Sequence, residues 1–300
     1  LLCPSSLIIE FMTYMIVFKS GLAGLSMAWY LKKHTGSQKF GACYFGVFYA
    51  LSGYMAAYSW NIMWLDCIVL LPLILHGLER LVREKKGLFY CLMLGLSILS
   101  NYYISIMICL FMVIYYVALL FLEKRPGWKD CLHSFFLFGV YSLLAGALAA
   151  AVLLPEIAAL QSTASGDFNF PTTLEIYFPI FDMIARHIGN VQVETGLDHW
   201  PNLYCGVLTA GLLPLWFCNR EISRREKAGV GILLIVLALS MLLYDLDVAW
   251  HVFQPPTWFP ARYSFTVVFL FTGCAARTLS KPDGLRPWTA ALGFACMAAV

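Results

Sequence analysis

From Gly87 to Leu122 the chain carries no charged side chain, and a short basic segment closes the run on each side. As one helix this run would be about 54 Å long, against a bilayer hydrocarbon core of about 30 Å. The flanking segments, "ERLVREKK" before it and "EKRPGWKD" after it, are both rich in Lys and Arg. Basic loops gather on the cytoplasmic side of a membrane. Both ends of the run therefore belong on one side, and the run has to turn back within itself. Asn101, in "LSILSNYYISIM", is the natural hinge, because Asn competes for backbone hydrogen bonds and accepts turn geometry. The first limb is then about 22 Å long, short for a crossing. Either the Asn101-Tyr102-Tyr103 tip stops below the outer surface and floors a cavity opening outward, or it reaches the interface and its tyrosines join an aromatic belt.

The same pattern extends along the chain. Hydrophobic residues make up 61% of the 300 positions and charged residues 12%, where soluble domains carry about 25% charge. Apolar segments fall near 6–31, 40–59, 62–81, 87–101, 103–121, 133–154, 204–218, 229–244, 262–279 and 288–300. Five loops between them ("KKHTGSQK", "ERLVREKK", "EKRPGWKD", "NREISRREK" and "RTLSKPDGLR") hold 17 of the 20 Lys and Arg. This predicts an all-α, polytopic membrane helix bundle of about ten spans with those loops inside. The organisation expected is membrane helices over 1–154 with a short hairpin at 87–121, an extracytoplasmic cap over 155–204, and further helices over 205–300. In the cap, "TTLEIYFPIFDMIARHIG" is apolar enough to lie along the membrane face. Trp60, Trp64, Trp200, Trp250 and Trp258 suit an outer aromatic girdle, and Trp29, Trp128, Trp216 and Trp288 an inner one. The first residue is not Met and the last apolar stretch has 13 residues, so the sequence reads as a piece cut at both ends. The absence of a visible internal repeat counts against a secondary transporter. The ten cysteines are scattered without a CxxC pair; Cys3 and Cys205 both fall near the outer face and are a candidate pair.

The expected outer side carries ten carboxylates, opposed only by Arg186 and Arg262. Such a face suits hydrogen bonding of neutral polyols and disfavours capture of anionic polymers, nucleic acid included. Glu10 and Asp66 sit about four residues inside their spans, where an ionisable group is either functional or snorkels to the interface. Lys19 lies deeper, needs a carboxylate or must snorkel, and is flanked by Gly21 and Gly24, which permit close helix contact. His187, His199 and His251 do not form a metal-ligand spacing and read first as surface histidines. No Ser-His-Asp arrangement, phosphate-binding glycine loop or dinucleotide fingerprint is present.

Several segments taken together, "KSGLAGLSMAWYLKK", "ALSGYMAAYSWNIMWLDCIVLLPLILHGLERL", "SNYYISIMICLFMVIYY", "PNLYCG" and "WHVFQPPTWFPARYSF", resemble the bacterial YfhO family of multispanning membrane proteins. That family is similar to the GT-C glycosyltransferases. The resemblance implies a location in the bacterial plasma membrane and transfer of a sugar from a polyprenyl-phosphate carrier to an envelope glycopolymer such as teichoic acid. It leaves room for a divalent metal without naming a ligand set. Arg262, after "PPTWFP", would meet the lipid phosphate, or else pair with Asp245 or Asp247. Asn101, Tyr102 and Tyr103 would line the sugar and acceptor cavity with Asp66, Glu10 and His251. GT-C enzymes keep their principal Asp in the first outer loop, and here the chain starts at what looks like the end of that loop. No residue inherits that role, and the piece alone is expected to be inactive. Rival readings are a flippase or transporter of lipid-linked sugars, and a non-catalytic envelope-assembly protein.

Overall fold

The computed structural model describes residues 4–35, 39–122, 127–161, 175–196, 199–254, 259 and 261–299. Among these the regular structure is helical; one antiparallel bridge joins Ile176 and Leu243. The helices are α1 (Ile8–Thr35), α2 (Lys39–Ala50), α3 (Gly53–Tyr58), α4 (Ile62–Glu84), α5 (Leu88–Ser100), α6 (Tyr102–Leu122) and α7 (Trp128–Leu148). They continue with α8 (Ala150–Gln161), α9 (Ile180–Ala185), α10 (Val207–Cys218), α11 (Arg224–Leu242), α12 (Tyr244–Trp250), α13 (Phe265–Leu279) and α14 (Pro287–Ala299). Every apolar segment of the sequence carries helix. Five of them, α1, the α2–α3 pair, α4, α6 and α7, are long and apolar enough to cross a membrane. The molecule is a membrane helix bundle in which full-length spans alternate with shorter apolar helices.

Small residues set the closest approaches. α1 crosses α2 at Gly24 and Gly46, where a methyl added to Gly46 would lie 2.5 Å from the Gly24 carbonyl oxygen. Without a hydrophobic drive between helices in lipid, such contact is what dispersion needs. Gly21, expected to share this role, faces open space. α13 is buried round nearly its whole circumference and forms the centre of the bundle. By contrast, α7 and the first half of α1 present apolar side chains outward, as lipid-facing helices do.

The long apolar run breaks at Asn101. In a continuous helix residues eight apart are separated by about 12 Å along the axis. Here the Ser97 and Ser105 hydroxyls are 2.7 Å apart, and the Cys67 thiol of α4 lies 3.6 Å from the Ser97 carbonyl oxygen and 3.6 Å from the Ser105 hydroxyl. The Asn101 side-chain oxygen accepts from the Ile104 amide at 2.9 Å, capping α6 in the manner of an N-cap. Asn101 thus ends one helix and starts the next.

The basic loops that follow α1, α4, α10 and α13 meet at one end of the bundle, and residues 123–126 of the remaining basic loop lie outside the described residues. His34 reaches Glu79 at 2.9 Å, Lys85 contacts the Ser134 hydroxyl, Asn219 donates to the Lys281 carbonyl at 2.8 Å, and Arg277 pairs with Glu226. Glu79 there is 4% exposed and held by the Tyr30 and Tyr115 hydroxyls at 2.7 and 2.9 Å. This is the basic end. The opposite, acidic end carries Asp66, Asp245 and Asp247.

Some expectations are corrected. Trp64, Trp216 and Trp250 are buried and pack against neighbouring rings, so they are core residues and not girdle residues; Trp29, Trp60, Trp128 and Trp288 are exposed. The helix α8 runs through Pro155 to Gln161, although Pro155, its sixth residue, donates no backbone bond to the turn before it. In α9, Met183 is buried while Ile180, Phe181 and Ile184 face outward. Cys205 is a buried free thiol, and Cys3, its suggested partner, lies outside the described residues, as do Asp167, Asp198 and Trp258.

Candidate functional site at the acidic end

The loop between α12 and α13 is bent at a residue-level cost. Val252, Phe253, Phe259 and Ala261 all adopt positive φ, between 47° and 60°. For side chains other than Gly this is strained by about 1–3 kcal/mol each, and such strain clusters at functional sites. Its product is the placement of Arg262. The guanidinium donates through Nη1 to the Tyr103 hydroxyl at 2.5 Å and through Nε to the Phe259 carbonyl at 3.1 Å. It also lies over the rings of Tyr103, Phe259 and Trp64, at 5.0, 5.6 and 5.9 Å from their centroids. Arg suits this cage because its planar cation stacks on rings while its edge still donates.

Behind the cage sits a buried polar pair. Asp247 on α12 is 1% exposed and His251 is 2% exposed. Burial pushes the Asp247 carboxyl up to about 7, against bonds from Tyr263 and Tyr177 and the Arg262 charge, which favour its ionised form. Tyr177 donates to its Oδ2 at 3.2 Å. Burial likewise pushes His251 down to about 3, so its ring is neutral. Its Nδ1 lies 2.8 Å from the Asp247 carbonyl oxygen, which fixes the proton on Nδ1. Nε2 is therefore an acceptor, buried and without a hydrogen-bond partner among the described residues. The reading of His251 as a surface histidine is overturned. It closes α12 and is packed beside Tyr263 and Tyr103.

Next to this pair opens a cleft of about 390 Å³, walled by Glu175, Tyr177, Asp182, His199 and Trp200. The Tyr177 and His199 rings stack at 4.1 Å. Tyr177 thus borders the cleft with its ring and touches Asp247 with its hydroxyl.

The structure gathers the expected site residues unevenly. Arg262, Tyr103 and His251 come together. Asn101 spends its side chain on the α6 cap, and Tyr102 turns toward Glu156. Asp66 is bound to Lys19 at 2.7 Å, a pairing that also places the Lys19 ammonium 3.1 Å from the Ile62 carbonyl oxygen. Glu10 is exposed at the start of α1. The residues that sequence reasoning passed over are Asp247 as a buried carboxyl, Tyr177, and the aromatic cage of Trp64 and Phe259. A signal for the cage was present, since "YSWNIMW" and "HVFQPPTWFPARY" are both rich in aromatic residues and the second contains Arg262. Among the described residues no group of three or more His, Cys, Asp or Glu is placed to hold a metal ion.

An all-helical membrane bundle, basic at one end, with a strained loop holding a caged arginine beside a buried carboxyl at the other: this is the class of protein the fold and site define. The sequence model of the family described as "Bacterial membrane protein YfhO" matches residues 1–300, and the chain belongs to that family. It is also similar to the "Uncharacterized protein YfhO" of Bacillus subtilis (strain 168), 24% identical over 280 residues. That alignment covers 92% of this chain and 30% of the relative, so the chain spans under a third of its relative's length. No solved structure matches.

Proposed function

We propose that this YfhO-family protein belongs to a membrane glycosyltransferase of the GT-C kind. It transfers a sugar from a polyprenyl-phosphate carrier to an extracytoplasmic envelope glycopolymer such as teichoic acid, in the bacterial plasma membrane. The observation that carries the reading is the convergence of Arg262, Tyr103, His251 and Asp247 at the acidic end. In the reaction an acceptor oxygen forms a bond to the anomeric carbon, and the bond from that carbon to the phosphate oxygen breaks. The electron pair leaves on the lipid phosphate, and the hydroxyl proton passes to a carboxylate. A guanidinium at the headgroup level stabilises the departing phosphate in a water-poor setting. Asp247, with its carboxyl near neutrality, matches the need for a proton acceptor that is later able to release its proton. The unpartnered Nε2 of His251 offers a sugar hydroxyl an acceptor.

Arg262→Lys in the full-length protein tests this. Lys lacks the planar fork that meets phosphate and stacks in the cage. Donor use should weaken at least about tenfold, about 1.4 kcal/mol, with the yield of folded protein preserved. Lowered yield with normal specific activity would make Arg262 a structural residue and remove the phosphate role.

A further inference from the structure

The basic end holds a second cavity that the proposed chemistry does not use. It has a volume of about 240 Å³ and is enclosed by α1, α4, α6, α11 and α13. Its walls change character with depth. The deep part is apolar, formed by Leu119, Leu233, Phe269 and Leu270; the mouth is polar, formed by His34, Arg83, Ser223, Glu226 and Arg277. Along α13, Leu270 and Arg277 are about 10 Å apart in rise, so a single molecule spanning the cavity meets both environments.

Two features point to what it takes. Trp216 lines the cavity and is 1% exposed, yet its indole N–H has no hydrogen-bond partner among the described residues. A buried N–H left unsatisfied costs about 1–3 kcal/mol, and an acceptor on a ligand would recover it. The mouth is also lined from four loops that carry 14 basic against five acidic side chains in sequence, a field that concentrates anions. Arg277 already grips Glu226, with Nη2 donating to Oε2 at 3.0 Å, which keeps its planar head oriented at the mouth.

We propose that this cavity is a binding site for one amphiphile with a phosphate head, taken from the leaflet at the basic end. The head sits at Arg277 and Arg83 and accepts from the Trp216 N–H; the first part of the chain lies against Phe269 and Leu270. The proposal does not depend on sugar transfer at the acidic end.

Gly273 makes a clean test. It lines the cavity, and a Cβ added there meets no atom within 4 Å. Gly273→Leu starts from a Cβ in open space, directs its side chain into the cavity and replaces a poor helix former with a good one. Gly146→Leu is the control, since Gly146 also faces open space but lies on α7, away from the cavity. Full-length protein would be titrated with phosphatidic acid, phosphatidylcholine and inorganic phosphate, and retained ligand counted by native mass spectrometry. The expected result is one phosphatidic acid retained by wild type and by Gly146→Leu, with at least tenfold weaker retention in Gly273→Leu and in Arg277→Gln. Equal retention by wild type and Gly273→Leu would overturn the proposal. So would retention of inorganic phosphate without phosphatidic acid, or of phosphatidylcholine as tightly as phosphatidic acid.

Discussion

Arg262 and Asp247 are near each other because a strained loop puts them there, and each changes what the other can do. Asp247 is the group whose charge state responds to pH near neutrality. Its carboxyl is raised from 3.8 to about 7, chiefly by burial, so the folded protein binds a proton there that the unfolded chain releases. The stability it contributes is fully present below about pH 4, is lost as pH rises toward about 7, and levels off above. Asp247→Asn keeps an acceptor for Tyr177 and removes the titration. The thermal midpoint of Asp247→Asn should match wild type near pH 4 and exceed it by a growing margin up to pH 7; parallel midpoints across that range would show that Asp247 is ionised at little cost. Arg262, Tyr103 and His251 were legible from the sequence, through the resemblance and the outer loops. Asp247 was named from the sequence as one of two candidate mates for Arg262, but its burial was not legible, because it depends on α12 packing under Tyr177 and Tyr263, contacts between segments distant in sequence.

Helices were the more readable layer. The alternation of apolar runs with basic loops located most of the apolar helices, since hydrocarbon length and loop charge are local properties; α8, which runs on past Pro155, was not set apart from α7. The break at Asn101 followed from the same charges. What local pattern could not give was the fate of small residues: Gly24 packs and Gly21 does not, a matter of which face α2 meets. Gly46→Leu would drive a side chain into the α1 backbone and should lower the yield of folded protein sharply, whereas Gly21→Leu should leave it unchanged; equal yields would mean that α1 and α2 are not held by this crossing. For the hairpin, Lys86→Cys and Lys124→Cys in a cysteine-free background should both react with an impermeant maleimide from the cytoplasm alone. Labelling from opposite sides would mean that α5 and α6 do not turn back.

As a whole the molecule separates its charges by end, with the basic loops tied together at one and the caged Arg262 with Asp247 at the other. The two proposals assign the ends different work: a phosphate-headed amphiphile held among basic loops, and sugar transfer beside the strained loop. The measurement that decides the second uses full-length protein in sealed right-side-out vesicles. They are loaded with a radiolabelled polyprenyl-phosphate sugar, and a teichoic acid acceptor that cannot cross the membrane is added outside. The account predicts that label moves to the external acceptor, and that Arg262→Lys cuts this transfer at least about tenfold. Label that stays on the lipid, merely redistributed between leaflets, would contradict the account and identify a flippase.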